Sequence, residues 1–598
     1  MDEAKATFTI LDWVVLVGYF VGITAFGLWV ARRIRSSGGF FLGERKLPWW
    51  IMIGQAFGTG THAENPVAQA GASYDKGFAT IWYQWKNMLI TPFYWLMAPW
   101  YRRTERTTIG EIVEDRYGRF MAFVYTVFAL AYFAFNQGAM MKGAGKAISM
   151  ATGGEVISPN GVVAWMVITF LLYSAFGGLI ASAYTDFIQG FLIIVLSFML
   201  IPGGLSAVGG FAGMRETLSA DFFRLYSDVS GVTGFTIAML TLNGLIGITA
   251  QPHILSMNAT GRTERAGRVG QTYGNMVKRF CTIGWALTGL IVAAMVIRQG
   301  TKLEDSESAF GYASLHLLGP GLTGLMVSCV LAANMSTCSN FMVNAAALFT
   351  QNLYKSYFRA TAGDKELLLV GRISGLVLAL SGVAFAFYVT NVLHAFLFVE
   401  TLPAFLGVMI VGGILWRRAN RWGALAAVAS SFLVYYALNF LTTCGASLKD
   451  PKTLKDAFDC LLACLREGGV GEFLGTGTLV IVYKWKAAQF GWAMLVGFTT
   501  LVVVSLLTRP ESKEKIEKFF DNMNRSTDEE GLPEGQPKPL AADRGTDLLL
   551  LDLPGWLTRD RWRGFFRRYR EDLVGFALAW SVVGLLLFIA WGLMQLGK

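Results

Sequence analysis

Charged side chains are scarce: Asp, Glu, Lys and Arg together make up only 15% of the 598 residues, which excludes an ordinary soluble protein. No G-x-x-x-x-G-K-S/T segment occurs, so ATP hydrolysis is excluded as the power source. The six cysteines include no C-x-x-C pair, and His62 and His253 have no further His or Cys at ligand spacing, which argues against zinc. No nucleophile with a neighbouring base stands out, so the chain is read as a non-enzyme. The net charge of +10 does not imply nucleic acid, because most of the basic residues fall in short loops.

What is abundant is apolar. Hydrophobic residues make up 54% and the mean hydropathy is +0.46, the composition of a polytopic membrane protein. The 44 Phe and 18 Trp suit lipid-facing and interfacial positions, and the 67 Gly suit close helix packing in a bilayer. A span needs about 20 apolar residues, and on that ruler about 14 spans are counted. They cover 10–31, 48–72, 78–100, 119–147, 161–177, 179–203, 232–256, 268–298, 320–352, 368–389, 392–416, 421–442, 484–508 and 573–596. The loops ARRIR, YRRTER, TGRTERAGR and WRRANR all fall on one side, which the positive-inside rule makes the cytoplasm. Both termini are then expected outside, in a multi-pass protein of the cell membrane, the bacterial inner membrane.

The first apolar stretch is too long for a signal peptide and has most of its basic residues after it, so residues 1–33 are expected to keep an extra N-terminal helix. Cys281, Cys329 and Cys338 lie in spans, whereas Cys444, Cys460 and Cys464 share an exterior loop where one disulfide of three possible pairings is open. Residues 421–508 carry two additional spans around that loop. Residues 509–572 are polar and charged and are read as a cytoplasmic linker, either solvated or lying as an amphipathic helix on the inner leaflet near its aromatic and basic end. A last span follows over 573–598.

Between Leu331 and Thr350 an apolar helix carries Ser336, Thr337 and Ser339 at its middle. Residues three and four apart share a helix face, so the Ala333 carbonyl and the Ser336 and Thr337 hydroxyls converge on one point that suits a hard cation. Such hydroxyls also serve simply to bond the carbonyl one turn back, or to join neighbouring helices. Two spans contain helix-breaking sequence, GQAFGTGTHAENPVAQAG at 54–71 and NGLIGITAQPHIL at 243–255. Backbone freed in hydrocarbon must find partners, and paired breaks in the two halves of a chain point to a transporter's binding site.

Six segments in order resemble the sodium/solute symporter family, relatives of bacterial proline, pantothenate, sialic acid and galactose carriers. They are FFLGERKLPWW from Phe40, TTIGEIVEDRYG from Thr107, YSAFGGLIASAYTDFIQ from Tyr173, AQPHI from Ala250, LAANMSTCSN from Leu331 and GGILWRRAN from Gly412. The resemblance implies an all-α LeuT-like fold of two inverted five-helix repeats, over 40–203 and 204–420, that works by alternating access. It implies Na+ as coupling ion, held at a principal site by Gly58, Thr61, Ala333, Ser336 and Thr337. A second site like that of some members would use Asp186, Ser336, Ser339 and Asn340, although Asn340 stands where a hydroxyl is expected.

Family geometry directs the solute to Glu64, Asn65, Gln84, Asn87, Gln251 and Glu400, with Lys86, His62, His253 and Lys278 as further candidates. Lys86, Glu64 and Glu400 either bind a charged solute or neutralise one another. The histidines either meet the solute or serve as hydrogen-bonding residues. The expected partners are a small organic solute (sugar, sialic acid, amino acid or carboxylate) and membrane lipid, with no nucleic acid, in a monomer or weak oligomer. Two rivals remain at this stage: a proton-coupled carrier using Asp186 or Glu64, and a solute-binding sensor that moves nothing.

Overall fold

A computed structural model describes residues 8–31, 41, 45–153, 158–227, 231–389, 391–447, 485–525 and 548–598. Among them ten helices are long and apolar enough to cross a bilayer. Extended structure among the described residues is limited to two isolated bridges, Leu47 with Gly261 and Ser227 with Val232. The fold is all-α, as composition and periodicity imply.

Helix α1 is Ile10–Ala31. The second expected span is interrupted: α2 runs Trp49–Gly60, and α3 runs Glu64–Lys76. Sequence dictates the break. Gly58 and Gly60 weaken the end of α2, and Pro66 sits in the first turn of α3, where its missing N–H costs nothing. After a 3-10 turn and a short helix, Phe78–Ile81 and Trp82–Trp85, helix α4 runs Thr91–Arg103. Helix α5, Ile109–Tyr117, opens on a capping box between Thr108 and Glu111. Helix α6 is Arg119–Ala151.

The expected spans 161–177 and 179–203 are not separated by a break: helix α7 is continuous over Pro159–Phe198, 40 residues. At 1.5 Å per residue that is about 60 Å, more than one crossing needs. Gly177 and Gly178 alone do not end a helix, and no proline follows Pro159 within it. The second interruption lies between α8, Gly234–Gly247, and α9, Ile254–Ala259, with Pro252 in the gap. Helices α10, Glu264–Arg298, α11, Leu322–Leu348, α12, Asp364–Tyr388, and α13, Val392–Leu415, follow. Then come α14, Arg421–Ser447, α15, Ala487–Leu507, α16, Lys513–Met523, and α17, Arg570–Leu593. The count of fourteen single spans is therefore not reproduced by helix length. The segments 48–72 and 232–256 are broken pairs, 78–100 is assembled from short helices, and 161–177 merges into its successor. Cys460 and Cys464 lie outside the described residues, as do residues 526–547 of the linker and most of 40–44, and the Cys444 side chain is likewise not described.

Helix α2 is seated by glycines. A Cβ on Gly270 or Gly274 of α10 would fall 2.5 Å from Met52 Cβ or 2.6 Å from the Ile53 carbonyl oxygen. On the opposite contact, a Cβ on Gly58 would lie 2.8 Å from the Asp186 carbonyl oxygen of α7. Small residues four apart let backbones touch, the usual means of association where the surrounding lipid is as apolar as the side chains. Helix α1 in turn fixes α11: the Asp12 carboxylate accepts the Gly321 and Gly324 N–H groups at 2.7 Å each, satisfying donors that the helix start leaves free.

The charged segment after α15 is docked rather than freely solvated. Phe519, Phe520 and Met523 of α16 are buried, and the Arg116 guanidinium lies 5.9 Å from both phenyl rings. The Trp100 indole donates to the Leu550 carbonyl at 2.8 Å, and Arg417 meets Asp552 at 2.5 Å. Arg268 of α10 pairs with Asp572 at the start of α17. Glu511 accepts from Arg421 at 2.9 and 3.0 Å. Burial pushes the Glu511 carboxyl up, but the hydrogen bonds from Arg421 and the charge of Lys515 outweigh it and leave it below the usual carboxylate range. A lowered carboxyl stabilises the docked form above its unfolded pKa and loses that contribution as pH falls through the folded one. Glu511→Gln is therefore expected to loosen α16 at neutral pH and to abolish the acid-triggered loosening, read by amide hydrogen exchange over 513–525.

Candidate functional site

The interruption between α2 and α3 faces the middle of α11. The Ser336 hydroxyl donates to the Gly58 carbonyl at 3.0 Å, and the Thr337 hydroxyl donates to the Thr59 carbonyl at 3.1 Å. Both hydroxyls also reach the Ala333 carbonyl of their own helix, at 3.1 and 3.3 Å. The turn-back reading and the helix-joining reading of these residues thus hold at the same time. Gly58, Ala333, Ser336 and Thr337 are brought together as expected. Thr61 caps the end of α2, its N–H donating to the Gly58 carbonyl at 3.4 Å, and its buried hydroxyl has no hydrogen-bond partner. Every ligand on offer is a neutral oxygen, a donor set that fits a hard monovalent cation and not a transition metal. Among the described residues no group of three or more His, Cys, Asp or Glu side chains converges as a metal site.

Thr59 was not among the residues singled out from sequence. Its carbonyl receives Thr337, and its hydroxyl donates to Asp186 Oδ2 at 2.9 Å, so one residue links the carboxylate on α7 to the oxygen cluster. Ser182 lies 3.5 Å from the same Oδ2, and Oδ1 is buried without a partner. Ser339 is buried, and Asn340 turns its carbonyl oxygen to the Asn344 amide at 2.7 Å. A hydrogen bond to a carboxylate is worth about 1.5–3 kcal/mol. Thr59→Val is accordingly expected to raise the sodium concentration for half-maximal uptake about tenfold or more, measured by isotope uptake over a sodium series.

On the other side of the break is a cavity of about 40 Å³, room for a few waters and not for a solute, so access is closed in this conformer. Its walls include His62, Asn87, Gln251, His253, Lys278 and Glu400 from the expected set, and Arg279, Tyr94, Tyr132, Gln271 and Asn275 from outside it. Glu64, Asn65, Gln84 and Lys86 are buried but do not line it. Glu64 accepts from Asn65 at 3.3 Å and meets His62 Nδ1 at 2.8 Å. Lys86 approaches Glu400 at 3.7 Å, and Gln251 donates to Glu400 at 3.3 Å, so mutual neutralisation describes this acid. His253 packs on the Phe341 ring at 5.0 Å, and Lys278 donates to the Gly60 carbonyl. A lysine and an arginine side by side in an apolar helix were the legible signal for Arg279, since intramembrane charge is costly.

Comparison with known proteins places this geometry. The profile of the sodium:solute symporter family matches residues 40–430, and the chain belongs to that family. It is a sodium-coupled solute symporter and not an enzyme. Curated relatives include the osmoregulated proline transporter OpuE of Bacillus subtilis, 28% identical over 71% of this chain and 89% of its own length. A sodium/glucose cotransporter of Vibrio parahaemolyticus is 24% identical over 74% of this chain and 87% of its own. Among solved structures, the outward-open state of a Na+-coupled sialic acid symporter superposes with a TM-score of 0.66 at 16% identity, covering 85% of this chain and all of that one. The shared fold is LeuT-like.

Proposed function

We propose that the protein imports a small organic solute with sodium by alternating access, and that the ion is held where α2 breaks against α11. The observation that carries this is the pair of contacts from Ser336 and Thr337 to the Gly58 and Thr59 carbonyls at 3.0 and 3.1 Å. Without an ion, hydroxyl protons bridge the two helices. With one, the hydroxyls turn their lone pairs inward and the cation is the bridge, so ion binding favours the conformer in which α2 and α11 are joined. The cavity begins at Gly60, two residues along, so ion and solute bias the same break. That shared preference is what coupling requires.

Gly58, Thr61, Ala333, Ser336 and Thr337 form the principal site in this reading, and Asp186 with Ser336, Ser339 and Asn340 a second. The repeats 40–203 and 204–420 rock about these sites. The basic loops face the cytoplasm and both termini the exterior of the cell, in a monomer or weak oligomer. A tenfold sodium gradient supplies about 1.4 kcal/mol and 100 mV about 2.3 kcal/mol, so each ion drives nearly 4 kcal/mol of uphill transport of a neutral solute, roughly several-hundredfold accumulation. The test is uptake into proteoliposomes under a sodium gradient and, separately, under a pH gradient in sodium-free buffer. Accumulation is expected only in the first, and accumulation in the second alone would reassign the coupling to protons.

A further inference from the structure

We propose that the solute carries a single carboxylate beside hydroxyl groups, and that Arg279 with Lys278 on α10 is the anchor that holds it. This rests on the transport reading above. The cavity wall presents two basic side chains, Lys278 and Arg279, and one acid, Glu400. That acid is already engaged by Lys86 at 3.7 Å and Gln251 at 3.3 Å, so it leaves the α10 pair uncompensated.

Arg279 is 1% exposed, and a guanidinium stays charged at any physiological pH. Its Nε and Nη1 have no hydrogen-bond partner, and its one hydrogen bond, Nη2 to Asn275 Oδ1, is long at 3.5 Å. A buried cation left this bare is strongly destabilising unless something anionic joins it, and the planar fork of arginine matches the two oxygens of a carboxylate. Adding one negative charge balances the wall. A zwitterion fits less well, because its ammonium would meet two cations and no free acid. The hydroxyl preference comes from the amides on the same wall: Gln271 Oε1 is buried with no donor, and Asn275 is only weakly engaged. Lys278 meanwhile donates to the Gly60 carbonyl, so a carboxylate drawing on Lys278 pulls at the same break that holds the ion.

The test uses full-length protein in detergent and in liposomes, with gluconate, glucuronate and lactate set against glucose and proline, each with and without sodium. Gluconate or glucuronate is expected to raise the melting midpoint in sodium while glucose and proline do not. Arg279→Gln is expected to weaken carboxylate binding at least tenfold while the sodium-induced shift stays within twofold of the wild type, which also reports that the variant is folded. Arg279→Lys should fall between them. Glucose or proline binding better than every carboxylate, no binding by any carboxylate, or undiminished carboxylate binding by Arg279→Gln would each overturn the anchor. Carboxylate binding that ignores sodium would instead count against sodium coupling and leave the anchor standing.

Discussion

Replacing Ser336 and Thr337 together by alanine abolishes sodium-driven uptake while the protein still inserts. The two hydroxyls are the side-chain oxygens that cross from α11 to the broken end of α2, at 3.0 and 3.1 Å from its carbonyls. A hydrogen bond to a charged group is worth about 1.5–3 kcal/mol, and taking each hydroxyl–ion contact as similar gives roughly 3–6 kcal/mol for the pair. That is a loss of about two to four decades in sodium affinity. Uptake measured across sodium concentrations checks it, and an unchanged sodium dependence would remove these residues from the site. Solute affinity in sodium should fall in the same variant, since linkage is reciprocal.

Glu264→Ala is expected to be among the most destabilising single changes at the basic end of the bundle. Arg103 closes α4 and meets the Glu264 carboxylate through two parallel contacts, 3.0 Å from Nε and 3.1 Å from Nη2, and both side chains are buried. Removing one partner of such a pair costs about 3–5 kcal/mol, because the surviving charge stays desolvated. Thermal unfolding in detergent should show a large drop in midpoint. The double variant Arg103→Met with Glu264→Leu should recover most of it, since an apolar pair of similar volume carries no stranded charge. A single variant as stable as the wild type would show that water reaches the pair.

Much of this was readable in advance, for physical reasons. The apolar runs and the cations between them define the spans, and Gly58, Gly60, Pro66 and Pro252 mark the two interruptions because glycine and proline act locally on the backbone. Ser336 and Thr337 were legible for the same reason, since helical spacing alone puts them on one face. Contacts between distant segments were harder. Thr59 sits in a stretch that reads as backbone irregularity, and only the approach of α7 reveals that its hydroxyl serves Asp186. Arg279 adjoins a lysine that the family resemblance already claimed, and its bare Nε becomes visible only when the opposite wall is in place. The merger of 161–177 with 179–203 escaped because a glycine pair reads as a turn, although glycine without proline merely weakens a helix.

The segments beyond α15 bear on how the molecule can be cut. The family match ends at residue 430, yet Trp100, Arg103 and Arg268, all inside it, find partners at Leu550, Met523 and Asp572, all outside. A fragment excised at the family boundary would bare an indole N–H and strip a buried arginine of its counter-ion. In this chain, the portion shared with its relatives is not a self-sufficient body.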